Sequence, residues 1–256
     1  MQECLLRNIT KYHIFFLRVQ SLISWIFYIL IGGNLIWLLT RFYSIKVYNK
    51  NNLKELKPPF ILVSNHLTLI DTLFIHFVIS WPSYYIRPWR LLWNLPEQTN
   101  YFRGIILPYM WLSRCIPIQR QGKARDQLLA LEKAISVLNN HESIHIFPEG
   151  TRSRTGRITD YTTGIGRIYL KVPNCTILPV YARGIENVLP IKAKFPRLWK
   201  KIDVVIGKPT ELNTPHKGIR ALKDVSLQIF NLLVDMENDY FQSDKNRSKE
   251  ILEQSK

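Results

Sequence analysis

From Val19 to Thr40 the chain reads VQSLISWIFYILIGGNLIWLLT without one charged residue, and Arg18 and Arg41 close the run at either end. A helix needs about 20 apolar residues to cross the hydrocarbon core of a bilayer, so the length suffices for a span. Gln20, Ser21, Ser24, Gly32, Gly33 and Asn34 interrupt it. The Gly-Gly-Asn run suits equally the turn of a helical hairpin that dips into one leaflet. A buried hairpin in a soluble core is the remaining alternative. No small-residue cleavage site precedes Arg41, which argues against a removable signal peptide.

Thirty-five Lys and Arg against 19 Asp and Glu leave the 256-residue chain at +16. Such a field attracts nucleic acid or an anionic membrane. Seven tryptophans within a 12% aromatic content favour the membrane interface, where Trp and Tyr settle. No zinc-finger spacing or basic recognition helix speaks for nucleic acid. Cys4, Cys115 and Cys175 are too scattered for a disulfide framework and read as reduced thiols in a cytosol-facing protein. The stretch 192–201 carries five cations, Phe195 and Trp199 and no acid, which suits either a basic loop with folded-in rings or a second membrane contact.

Beyond the apolar run, strand and helix signals alternate. Phe60–Ser64, Ser143–Phe147, Thr176–Val180 and Asp203–Gly207 read as strands, with Pro179 suggesting an edge or strand end. Ile70–Ile79, Lys123–Asn140 and Ile165–Leu170 read as helical, the second with Leu128, Leu131, Ile135 and Leu138 on one stripe. A last helix is expected from Gly218 to about Tyr240, with Asp244–Lys256 as a frayed polar tail. The alternation predicts an α/β fold, a mostly parallel sheet flanked by helices, with an N-terminal membrane-embedded helix or helical hairpin. Residues 1–44 form the membrane-associated segment, 45–242 the domain and 243–256 the tail.

Two polar clusters follow strands. In Asn65-His66-Leu-Thr-Leu-Ile-Asp71 a histidine could act as general base and the aspartate could fix its tautomer. Five residues along a helix turn through about 140°, so the two meet only if His66 lies in the bend and Asp71 in the first helical turn. The plainer alternative makes Asn65 a helix cap, His66 a satisfied half-buried residue and Asp71 a partner of the helix dipole. No G-x-S-x-G elbow occurs, so a nucleophile activated by His66 belongs to the substrate. In Phe147-Pro-Glu149-Gly150-Thr151-Arg152-Ser153, Gly150 permits close backbone approach, Thr151 and Ser153 offer hydroxyls and Arg152 a fork for phosphate. A solvated basic turn with an Arg–Glu pair fits that stretch equally. Arg120 follows a short apolar run and by itself reads as a surface arginine.

Taken in order, these segments resemble the glycerolipid acyltransferases typified by bacterial 1-acylglycerol-3-phosphate acyltransferase. His66 and Asp71 match the H-x4-D block, Ile116–Arg120 the second, Phe147–Ser153 the third, and Ile177–Val180 the proline-centred fourth. The likeness covers roughly residues 45–210. It implies an acyl thioester on coenzyme A or acyl carrier protein as co-substrate, with no bound cofactor and no metal. It also implies His66 as base, Asp71 as its helper, and Arg120, Glu149, Gly150, Thr151 and Arg152 as holders of the phosphate head group. The acceptor it implies is lysophosphatidic acid, at the cytoplasmic face of the inner membrane. Another lysophospholipid or an amino-acid-derived lyso-lipid stays open as acceptor, as does a non-catalytic lipid-binding protein of the same fold. Two departures bear on the acceptor: Arg114 stands where the second block usually opens with glycine, and Thr162 or Thr163 replaces a basic residue common before Gly164.

Overall fold

The computed structural model describes residues 2–54, 56–98, 104, 107–119, 122–172 and 174–254. Six strands form one sheet: β1 (Ser44–Tyr48), β2 (Phe60–Ser64), β3 (Trp93–Asn94), β4 (Ile144–Ile146), β5 (Thr176–Arg183) and β6 (Lys201–Ile206). Their order is β1-β6-β5-β2-β4-β3. Only the β5–β6 pair is antiparallel. β2, β3, β4 and β5 therefore end at one edge of the molecule, and β1 and β6 begin there.

Every residue of β2 is buried, which is why it reads as an unbroken apolar run rather than an alternating one. Its side chains divide between two cores. Ile61 and Val63 join Ile144, Ile177 and Tyr181 against helices α5 (Ala124–Asn139), α6 (Gly164–Tyr169) and α8 (Gly218–Gln254). Phe60 and Leu62 join Leu178, Val180, Val204 and Ile206 against α3 (Asp71–Ser80) and α7 (Ile185–Val188). The layers are helix, sheet, helix. α3 stops where Trp81 turns extended ahead of Pro82, as a residue before proline tends to do.

Three expectations are corrected here. Pro179 sits in the middle of β5, between β2 and β6, and not at an edge. Ile177 exchanges both backbone bonds with Thr210, and the Pro179 carbonyl accepts from the Gly207 amide. The Pro179 nitrogen thus faces the irregular turn at 207–209, where a ladder donor is not needed. The polar tail stays helical as far as Gln254, because after Gly218 the sequence holds neither glycine nor proline to stop it. Leu128 is exposed; Ala130 and Ala134 take its side of the α5 stripe.

The N-terminal run is a helix and not a hairpin. α1 (Gln2–Phe27) passes through a π turn at Tyr28–Gly32 into α2 (Gly33–Thr40). Gly32 and Gly33 both keep right-handed helical angles, so the chain continues where a reversal was one expectation. Phe15–Thr40 is the candidate membrane span. The polar residues that interrupt the run lie on the face packed against the domain. Gln20 donates to the Trp111 carbonyl in α4 (Leu107–Leu112) at 2.8 Å, Ser21 donates to Glu142, Ser24 is fully buried, and Asn34 accepts from the Tyr85 hydroxyl at 2.7 Å. Gly33 has no room for a side chain, since a Cβ there would stand 1.4 Å from the Tyr84 hydroxyl. Leu30, Ile31, Leu35 and Leu38 stay uncovered on the opposite side.

Arg114 fastens this helix. It is 1% exposed and donates to the Ser21 carbonyl at 2.9 Å and the Leu91 carbonyl at 2.8 Å. Its Nη1 lies 3.6 Å from Glu142, which also accepts from the Trp93 indole at 2.6 Å. The backbone of Arg114 is left-handed, with φ of 54°. That conformation favours glycine, which accounts for the glycine usual at this position in the family the sequence resembles.

Candidate active site

The bend after β2 brings His66 to Asp71 at the first position of α3. His66 Nδ1 lies 2.8 Å from Asp71 Oδ2. The same carboxylate accepts from the Leu67 amide at 2.6 Å, the Thr68 amide at 2.9 Å and the Thr68 hydroxyl at 2.7 Å. Every one of these contacts suits a carboxylate as acceptor, so the Nδ1–H tautomer fits and the Nε2 lone pair is left as the basic position. Asp71 also closes the first turn of α3, where a negative side chain complements the helix dipole. Asn65 is not the cap: its amide donates to the Ala182 carbonyl and accepts from the Ala182 amide, both at 2.8 Å, tying the bend to β5.

The second cluster closes over the first. Phe147 lies flat on the His66 ring, with centroids 4.0 Å apart and planes within 16°. The Ser153 amide donates to the His66 carbonyl at 2.8 Å. Glu149, grouped above with the holders of a phosphate, faces inward instead: it is 7% exposed and accepts from the His66 amide at 2.7 Å. Burial pushes its carboxyl up to about 7; the His66 amide opposes this, and the Asp71 and Glu237 charges add to it. Gly150 is left-handed at φ 69°, and a Cβ there would press on Thr162 Cγ2 at 2.8 Å. Thr162 closes this turn, its amide donating to the Pro148 carbonyl at 2.8 Å and its hydroxyl at 3.2 Å. Thr151 is exposed and Arg152 half-buried at this rim, with no ion pair for Arg152 among the described residues. Arg157 is committed elsewhere, 3.5 Å from Glu237 and over the Phe241 ring. Arg120 lies outside the described residues.

Beneath the site runs a buried chain that sequence reasoning missed. Ser64 Oγ lies 2.8 Å from His145 Nε2, and His145 Nδ1 lies 3.0 Å from His76 Nε2. Burial holds His145 well below the usual histidine range and His76 down to about 3. Both stay neutral at ordinary pH, and His145 packs on Phe147 at 4.5 Å. The available signal was a histidine in the middle of an apolar strand, Ile144-His145-Ile146.

A polarised histidine at a strand end, beside an arginine-bearing glycine turn, can take a proton from a hydroxyl held by an anionic group. Residues 44–183 match the family model described as Acyltransferase. The match covers more than half of the chain, which belongs to the acyltransferase family. It is similar to "Taffazin" of Dictyostelium discoideum, 27% identical over 60% of this chain and 55% of that one. It is also similar to the chloroplastic 1-acyl-sn-glycerol-3-phosphate acyltransferase LPAT1 of Arabidopsis thaliana, 25% identical over 66% of this chain and 44% of that one. The chain thus spans about half the length of these curated relatives. In fold it resembles the crystal structure of the 1-acyl-sn-glycerophosphate acyltransferase PlsC of Thermotoga maritima, with a TM-score of 0.58 at 16% identity, over 90% of this chain and 97% of that one.

Proposed function

We propose that the protein moves a fatty acyl group from a coenzyme A or acyl-carrier-protein thioester to the free hydroxyl of lysophosphatidic acid, giving phosphatidic acid at the cytoplasmic face of the inner membrane. The observation that carries this reading is the 2.8 Å His66–Asp71 contact, which leaves Nε2 as the basic position of the ring. His66 Nε2 takes the proton as the acceptor oxygen bonds to the thioester carbon. The carbon–sulfur bond then breaks, and the departing thiolate receives that proton. Asp71 stabilises the imidazolium in between. Arg152, with Arg120, supports the phosphate electrostatically, Gly150 and Thr151 offer it close backbone and hydroxyl contacts, and Glu149 positions the base by holding its amide. No protein nucleophile and no bound cofactor are required.

A second acceptor class is favoured by one observation. Thr162 packs against Gly150, and Thr162 or Thr163 stands where the resembled family commonly has a basic residue, which would leave less positive charge for a phosphomonoester. That suits another lysophospholipid. The test is acyl transfer by the purified full chain in detergent, offered lysophosphatidic acid and other lysophospholipids with each donor type. Preferred turnover of lysophosphatidic acid supports the first reading, preferred turnover of another lysolipid replaces it with the second, and no transfer to any of them overturns both.

A further inference from the structure

We propose that residues 191–201 form an interfacial docking surface that seats on an anionic phospholipid leaflet and, with the apolar N-terminal helix, turns the catalytic edge of the sheet toward the lipid.

Topology places this loop. β6 runs antiparallel to β5, so its first residues lie beside the end of β5, Asp203 opposite Arg183. β5 is parallel to β2, whose last residue, Ser64, leads into His66. The loop entering β6 therefore stands at the same edge as the His66 bend. It is also joined to the end of the membrane helix. The Trp199 amide donates to the Phe42 carbonyl at 3.0 Å, and the Ser44 amide to the Lys200 carbonyl at 3.1 Å. The Phe42 and Trp199 rings meet edge to face at 5.6 Å, two residues beyond the end of α2.

The side chains of this loop face water rather than the core. Phe195 is 80% exposed and Trp199 74%, with Ile191 and Leu198 about half exposed. Trp199 holds a φ of 60°, a region that bulky residues avoid, and in that conformation its ring stands outward. Lys192, Lys194, Arg197, Lys200 and Lys201 surround these groups without an acid. Among the described residues none of the five is in an ion pair. The loop is nonetheless built: the Arg197 amide donates to the Val188 carbonyl at 2.7 Å and the Ala193 amide to the Pro190 carbonyl at 2.8 Å. Exposed rings within a ring of cations match the head-group layer of an anionic leaflet, where aromatics settle and Lys and Arg meet phosphate. An acidic protein would satisfy the charges. It would not account for two exposed rings, Phe195 and Trp199, the second of which meets Phe42 just beyond the end of α2.

The test uses the full chain in phosphatidylcholine vesicles with and without phosphatidylglycerol, and reads quenching of tryptophan emission by lipids brominated near the acyl carbonyl. Its outcome does not depend on which acceptor the enzyme uses. The wild type should lose more emission than Trp199→Phe, and the difference should shrink in high salt or without the anionic lipid. A variant combining Lys192→Ser, Lys194→Ser, Arg197→Ser and Lys200→Ser should lose the same difference. It should also slow acyl transfer roughly tenfold or more on anionic vesicles while matching wild type in detergent. Equal quenching of wild type and Trp199→Phe overturns the proposal. So does a loss by the charge variant that is confined to reactions with an acyl-carrier-protein donor, which would make the patch a protein dock.

Discussion

At the residue scale, the His66–Asp71 pair was legible because both residues lie in one strand–bend–helix segment, five positions apart. What surrounds them was not. Glu149 reaches the His66 amide across 83 positions and Asn65 reaches Ala182 across 117, and no local pattern records such partners. Phe147 was visible as a motif residue, yet its stacking on His66 depends on β2 and β4 being neighbours. His66→Ala should reduce acyl transfer by ~10²–10⁴-fold while the circular dichroism spectrum is kept, and Asp71→Asn should also be severe. Rates within a few-fold of wild type would remove His66 as base. Arg152→Ala should raise the acceptor Michaelis constant about ten- to a hundredfold and leave that of the donor little changed, in line with loss of a charge-assisted hydrogen bond. Glu149 makes a different prediction. Its folded carboxyl is raised from 4.5 to about 7, so the folded state binds the extra proton and stability falls as pH rises through that interval. Glu149→Gln keeps an acceptor for the His66 amide and lacks the titration. Its melting temperature should gain on wild type across the window, by up to ~3 kcal/mol of stability. Parallel melting curves would show that Glu149 does not titrate there.

Elements were read well where periodicity was strong and neighbours mattered little. β2, α3 and α5 fall within a residue or so of their expected bounds. Misreadings and open choices arose where a residue's meaning depends on context. Pro179 is tolerated inside a central strand because its nitrogen faces a turn, and Gly32-Gly33 continues a helix because Tyr84 packs against it. The polar residues of the apolar run belong to a seam whose other side comes from distant loops. Arg114 is the strongest stitch in that seam. Arg114→Gly should suit the left-handed backbone and still free the helix, because the donors to Ser21 and Leu91 are gone. Amide exchange over residues 18–34 should quicken by roughly tenfold or more while that of β2 is unchanged. Unaltered exchange in the helix would show that Gln20, Trp25 and Asn34 hold it without Arg114.

For the whole molecule, the sheet's strand directions decide more than its composition does. Parallel β2 and β4 deliver both motif bends to one edge, and the reversed pair β1 and β6 brings the end of the apolar helix and the basic aromatic loop to that same edge. Among the described residues the helix is bonded to the domain along one side, through Gln20, Ser21, Trp25 and Asn34, so it cannot roll about its axis without breaking those bonds. With the helix embedded as proposed, the depth of the His66 bend would thereby be set when the chain folds, not each time a lipid arrives. On the proposed reading, a site held in that plane would meet a lipid acceptor by lateral diffusion and sense the acceptor's mole fraction in the leaflet. Adding inert lipid to vesicles at constant total acceptor should therefore slow the reaction in proportion to surface dilution, whereas adding more vesicles of unchanged composition should leave the initial rate per enzyme the same.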